Sequence, residues 1–274
     1  MSLTCGIIGL PNVGKSTIFN ALTSSSVPAE NYPFCTIEPH VGIVPLPDSR
    51  LDILEKIYNP EVVTPATVEF TDIAGLVKGA STGEGLGNQF LGQIRQVDAI
   101  IHIVRCFEDG NISHVEETID PIRDIELIET ELLLADLNTI DKSLVRLEKL
   151  SKSDKSILVN VEIVRQLKEF CDNGNPVRNF ISNNKDFKCI KDLFLLTAKP
   201  IMYVANINEQ ELMSDKNSSY SDALITNIEK NGGEIIKLCG KVEQEISILD
   251  NTEQAEFLSE YNLDEPGLNV LIRK

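Results

Sequence analysis

Paired cysteines, clustered histidines, long apolar runs and a balancing supply of positive charge are all missing from this 274-residue sequence, and each absence removes a class of protein. The six cysteines, at positions 5, 35, 106, 171, 189 and 239, form no Cys-x-x-Cys pair. Several fall in strand-like runs, where a free thiol behaves as a small hydrophobe. That usage suits a reducing cytoplasm. His40, His102 and His114 stand apart from one another and from the cysteines, so no zinc-ligand spacing is present. No apolar run approaches the roughly 18 residues of a membrane span, and no membrane partner is expected. The N-terminal Met1 to Gly6 leads directly into the first strand-like run, so no removable targeting segment is expected. With 25 Lys and Arg against 42 Asp and Glu, the formal net charge of −17 argues against broad binding to nucleic acid, sequence-specific DNA included. The shortage is uneven: residues 129 to 196 hold eleven basic and eleven acidic residues, so the acidic excess lies outside that segment.

What is present is organised around residues 9 to 16, Gly-Leu-Pro-Asn-Val-Gly-Lys-Ser, which fit Gly-x-x-x-x-Gly-Lys-Ser. An apolar strand-like run, Leu3 to Gly9, precedes the loop, and a helix-like run from Lys15 to Leu22 follows it. Backbone N–H groups at a helix N-terminus form a cradle for phosphate, favoured by the helix dipole. Asn12, Val13, Gly14, Lys15, Ser16 and Thr17 are the expected nucleotide contacts, with Lys15 on the β- and γ-phosphates and the Ser16 hydroxyl on Mg²⁺. Thr36, in the loop from Ser24 to Pro39, is the candidate switch threonine for the same ion. Thr67 to Thr71 reads as a strand ending in Asp72-Ile73-Ala74-Gly75, so Asp72 is expected to hold a Mg²⁺ water and the Gly75 N–H to face the γ-phosphate. Leu76 stands where related hydrolases carry a water-orienting glutamine, which implies a slow intrinsic rate. Gly79 to Gly87 holds too many glycines for a stable helix and suits a mobile switch.

Further strands are predicted at His40 to Leu46, Asp98 to Phe107, Pro200 to Ala205 and Glu234 to Leu238, with His102 a satisfied core histidine. The loop from Glu108 to His114 is acidic and reads as mobile. Asp120-Pro121 opens a long helix. Leu133, Leu137, Ile140, Leu144 and Leu147 repeat at spacings of four and three, the seam of a coiled coil. Ile157, Val161, Val164, Leu167 and Cys171 mark a returning helix. The expected fold is therefore α/β: a P-loop nucleotide-binding domain with a mostly parallel sheet, in two pieces, 1–128 and 197–274, interrupted by a helical coiled-coil hairpin at 129–196. Asn206-Ile207-Asn208-Glu209 occupies the position of the guanine-reading Asn-Lys-x-Asp. Glu209 is one methylene longer than aspartate, and Ile207 replaces the lysine that packs over the base. Asn206, the backbone of Ile207 and Glu209 are the expected base contacts.

These stretches resemble the YchF, or Obg-like ATPase, family. The resemblance is carried by Gly-Leu-Pro-Asn-Val-Gly-Lys-Ser-Thr at 9–17, Tyr-Pro-Phe-Cys-Thr-Ile-Glu-Pro at 32–39, Asp-Ile-Ala-Gly-Leu-Val-Lys-Gly-Ala at 72–80, Gly-Glu-Gly-Leu-Gly-Asn-Gln-Phe at 83–90, Ile-Glu-Thr-Glu-Leu-Leu-Leu-Ala-Asp-Leu at 128–137 and Asn-x-x-Glu at 206–209. It implies a G-domain fold, an inserted helical domain with a coiled-coil hairpin, ATP preferred over GTP, and association with ribosomes. It also implies a C-terminal TGS domain, which is expected to be absent from this sequence. Cys239-Gly240-Lys241 departs from the family's Cys-Ala-like loop. The resemblance further implies a part in hydrolysis for His114. Asn12 could share a K⁺ ion with phosphate oxygens. Lys142, Arg146, Lys149, Lys152 and Lys155 form a basic tip on the hairpin, suited to ribosomal RNA phosphates. A monomer is expected. Three classes stay open: an ATPase switch, a GTPase with a degenerate base motif, and a non-hydrolysing binding module gated by nucleotide.

Overall fold

The computed structural model describes residues 2–24, 41–73, 86–110, 118–182, 188–214 and 216–274. The apolar runs form six strands: β1 Leu3–Ile8, β2 Val41–Pro45, β3 Thr67–Asp72, β4 Ala99–Arg105, β5 Ile201–Asn206 and β6 Glu234–Leu238. They make one sheet in the order β2-β3-β1-β4-β5-β6, parallel throughout except that β2 runs antiparallel to β3. Each expected strand is present to within two residues. Burial explains their composition. The alternation in β2 and β3 is that of strands covered on one face, whereas β4 is buried along nearly its whole length, as a central parallel strand must be.

Twelve helices accompany the sheet among the described residues. They are α1 Lys15–Ser24, α2 Ser49–Tyr58, α3 Leu86–Gln96, α4 Pro121–Ser151, α5 Leu158–Asp172, α6 Val177–Ser182, α7 Lys188–Lys191, α8 Glu209–Leu212, α9 Ser219–Lys230, α10 Gly240–Ile246, α11 Asn251–Glu260 and α12 Gly267–Arg273. Two expectations need correction here. Gly87 lies inside α3 rather than in a glycine-rich loop, because burial of Phe90, Leu91 and Ile94 outweighs a cost of about 1 kcal/mol per helical glycine. His102 is buried as expected but is not satisfied: its Nδ1 has no hydrogen-bond partner among the described residues. Burial, reinforced by the charges of Lys15 and Arg178, pushes its pKa down to about 3, so the ring is neutral. The rest of the expected first switch loop, Gly79 to Gly85, Thr36, Gly75, Leu76 and His114 lie outside the described residues.

The long helix begins as its sequence requires. The Asp120 carboxylate accepts from the Arg123 backbone N–H at 3.1 Å, and Pro121 occupies the first turn. Ile128, Leu132 and Ala135 of α4 pack into the core against the sheet, while Ile140 joins Val164, Leu167 and Cys171 in a separate core within the hairpin. The seam leucines 133, 137, 144 and 147 pack against that second core. The helix is thus continuous through residues 128 and 129 and is shared by both cores.

At the crossover stands Asp136, fully buried, whose carboxylate accepts from Leu196 N at 2.7 Å, Thr197 N at 2.8 Å and Thr197 Oγ1 at 2.7 Å. These N–H groups open a short 3-10 turn that leads into β5. Asp136→Ala strands three donors and should lower the urea-measured stability by about 2–4 kcal/mol. Asp136→Asn, which keeps one acceptor, should lose less.

Candidate nucleotide-binding site

All the parallel strands end at the same edge of the sheet, and the expected site residues follow those ends. The loop after β1 turns through Asn12, at φ 62°, and Gly14, at φ 97°. A Cβ at Gly14 would lie 2.3 Å from Asn206 Nδ2, so only glycine allows this approach. Lys15 is buried at the start of α1, and its Nζ donates to the Leu10 carbonyl of its own loop at 2.9 Å. Burial lowers its pKa and the neighbouring Asp72 opposes that shift. Asp72 ends β3 beside Ile7 of β1, which brings it to the loop. The Ser16 hydroxyl donates to Asp72 Oδ2 at 3.4 Å.

Among the described residues no three His, Cys, Asp or Glu side chains converge on a metal position. The Ser16 and Asp72 oxygens nevertheless fit Mg²⁺, a hard ion that takes one or two protein oxygens and completes its shell with water and substrate phosphate.

Asn206 links the phosphate loop to the far strands. It is buried at the end of β5, donates from Nδ2 to the Val13 carbonyl at 2.8 Å and accepts at Oδ1 from Gly240 N at 2.9 Å. Beside it opens a cleft of about 310 Å³, lined by Asn12, Gly14 and Thr17 on one side and by Phe107, Asn208, Glu209 and Lys241 among the rest. That volume is at the lower end of the range for small-molecule sites.

Two of the expected base contacts change character. Ile207 is 1% exposed and packs into the core with Leu224, Val242 and Ile246, so its side chain does not take the place of a lysine over the base. Its N–H is also committed, to Leu238 O at 2.9 Å. Glu209 lies at the cleft, but its carboxylate pairs with Lys241 at 2.8 Å.

Sequence reasoning missed the wall made by residues 107 to 109; of the loop expected to be mobile, Glu108 to His114, residues 111 to 114 lie outside the described residues. The wall is anchored from below. Arg105, 1% exposed, donates from Nε to Phe107 O at 3.0 Å and from Nη2 to Asp109 O at 3.4 Å, and its guanidinium lies 4.8 Å from the Phe107 ring centroid. Burial works against the charge of Arg105, and Asp109 and Asp124 support it. Tyr220 donates its hydroxyl to Glu108. The signal available in the sequence was an arginine closing an otherwise apolar strand, a placement that demands several partners.

A phosphate loop, an acid-ended neighbouring strand and a cleft beyond the loop define a P-loop nucleotide-binding protein with a G-domain fold. The description "50S ribosome-binding GTPase" matches residues 4–162. The ribosome-binding ATPase YchF of Haemophilus ducreyi is 49% identical over the whole chain, which spans 75% of that relative. Its counterpart in Bacillus subtilis is 48% identical over the same shares. The solved structure of a Schizosaccharomyces pombe YchF GTPase matches 99% of this chain and 74% of its own, with a TM-score of 0.84 and 36% identity. The chain belongs to the YchF family.

Arg105 acts on a ligand only through the loop it holds. Replacing it by Met should weaken ATP binding about tenfold, while inorganic tripolyphosphate, which has no base to touch the wall, should bind as before. Both affinities are read by titration calorimetry, and equal losses would mark Arg105 as a general stability residue.

Proposed function

We propose that this chain is a Mg²⁺-dependent, ATP-preferring nucleoside triphosphatase switch of low intrinsic rate that works in the cytoplasm, as a monomer, on the ribosome. The observation that carries the nucleotide part is the convergence of Lys15, Ser16 and Asp72 at one sheet edge, with the Asn206 brace binding that edge to the cleft. Lys15 and the loop N–H groups would hold the triphosphate, with Ser16, Thr36 and Asp72 disposed to hold Mg²⁺ and the Gly75 N–H facing the terminal phosphate. The ion, when bound, neutralises charge on the phosphate oxygens. His114 would assist the water that Leu76 cannot orient. Asn12 would share K⁺ with the phosphates, supplying positive charge where an arginine finger otherwise acts.

The curated relatives are named ATPases and the fission-yeast structure a GTPase, so the names leave base choice to the cleft. Two features of the cleft support the adenine reading: the Ile207 side chain is buried, and the carboxylate of Glu209 is engaged by Lys241. A polar contact missing at the guanine edge is worth about 1–3 kcal/mol, or roughly tenfold to a hundredfold. Calorimetry should therefore give ATP a tighter Kd than GTP by that margin, and equal affinities would return the chain to the GTPase reading. Phosphate release from ATP should be faster in KCl than in NaCl and should fall in Lys15→Ala and in His114→Ala. Release that survives Lys15→Ala would leave a nucleotide-gated binding module.

The ribosomal part rests on charge. In this reading residues 1–128 and 197–274 form the nucleotide domain, and 129–196 an inserted arm. Lys142, Arg146, Lys149, Lys152 and Lys155 are all exposed on that arm. The two acids among them are occupied: Glu148 pairs with Arg165 at 3.0 Å, and Asp154 caps the turn at Ser156. A basic tip on a protein of net charge −17 suits the phosphates of ribosomal RNA. Reversing the charge of Arg146, Lys149 and Lys152 together should reduce co-sedimentation with ribosomes and flatten its log–log salt dependence by about 2–3. Unchanged co-sedimentation would place the contact elsewhere.

A further inference from the structure

The cleft carries one ion pair on its outer rim. Lys241 Nζ lies 2.8 Å from Glu209 Oε1, and the two side chains are 67% and 36% exposed. Glu209 opens α8 after β5, and Lys241 stands in the first turn of α10 after β6, so the pair spans the two loops that form this side of the cleft. Of the other carboxylates at the cleft, Glu108 accepts from Tyr220, and Asp109 lies in the field of Arg105.

Guanine presents an N1–H and an amino group side by side, a pattern that one carboxylate can accept with both oxygens. Adenine presents an acceptor at N1, which a carboxylate repels. A carboxylate held by an ammonium is restricted in its orientation and carries less charge to offer a guanine edge. It also repels adenine less. We propose that Lys241 is a specificity-determining residue: by engaging Glu209 at the rim it keeps that carboxylate from clasping guanine and so favours adenine nucleotides. This deepens the ATP-preferring reading and rests on it.

An exposed ion pair has a modest effect and is weakened by salt, so the expected change is about two- to fivefold. The experiment measures Kd for ATP and GTP by calorimetry in the wild type, K241M, E209Q and the double variant. K241M should lower the ratio of the GTP Kd to the ATP Kd by that factor. The same substitution made in E209Q should leave the ratio unmoved, because the carboxylate it would release is gone. Raising the salt from about 0.05 M to about 0.5 M should shift the wild type in the direction of K241M and leave K241M itself unshifted. A wild type that prefers ATP, with K241M at the same ratio, would overturn the inference alone. An equal gain in the E209Q background would do so too. A wild-type ratio near one would remove the ATP-preferring reading and the inference with it.

Discussion

Everything at the nucleotide edge depends on one amide. Asn206 stands at the end of β5, gives a hydrogen to the Val13 carbonyl of the phosphate loop and takes one from the N–H of Gly240 at the start of α10. A single buried side chain thus fixes three segments, one of them 193 residues away in the chain and another 34. The position requires a donor and an acceptor together, which an amide supplies: aspartate would repel the Val13 carbonyl, and leucine would strand both backbone groups. The contact also demands Gly14, since any Cβ there would collide with the Asn206 nitrogen. Asparagine and glycine are therefore a matched pair. They tie the phosphate loop to the cleft.

Other long-range joints follow a related rule: a buried charged side chain holds several backbone groups at once. Asp136 takes the first N–H groups of the turn before β5. Glu243 in α10, 2% exposed, takes those of Gly267 and Leu268 at 2.8 and 3.2 Å and so fastens α12. Arg105 gives to two carbonyls of the cleft wall. Helix starts carry unpaired N–H groups that need acceptors, so a carboxylate from a distant element meets that need and fixes the chain path at once. Removing such a carboxylate costs more than one hydrogen bond because several backbone groups lose their partner together.

The phosphate half of the site was legible because phosphate binding is a local problem. One eight-residue loop between a strand and a helix states it, and Asp72 adds the neighbouring strand. The hairpin was legible for the same reason, since the leucine spacing of α4 is a property of one helix. The base half was legible only in part: Asn206, Ile207 and Glu209 do line the cleft, but its other walls come from the ends of β4 and β6, and no spacing along the chain reports which side chains meet there. Ile207 shows the difficulty. Its backbone was the expected contact, and it lines the cleft with its N–H bonded to Leu238 O and its side chain on the core face. His102 failed for a subtler reason: apolar neighbours predict burial correctly but say nothing of hydrogen-bond partners, and this ring meets Tyr203 at 5.6 Å between centroids while its Nδ1 has no partner among the described residues.

Helix α4 remains the element that joins the two halves of the proposed function. Its 31 residues extend about 46 Å at 1.5 Å per residue, and Asp136 pins it close to its midpoint. One arm packs on the sheet and begins where the loop after β4, the cleft wall, returns to regular structure. The other ends at the basic tip. Because Ile128, Leu132 and Ala135 on one side and Ile140 on the other are locked into two separate cores, the helix cannot bend cheaply at the crossover. Under the proposed reading, one continuous helix therefore joins the basic tip on the ribosome to the loop that carries both the cleft wall and His114.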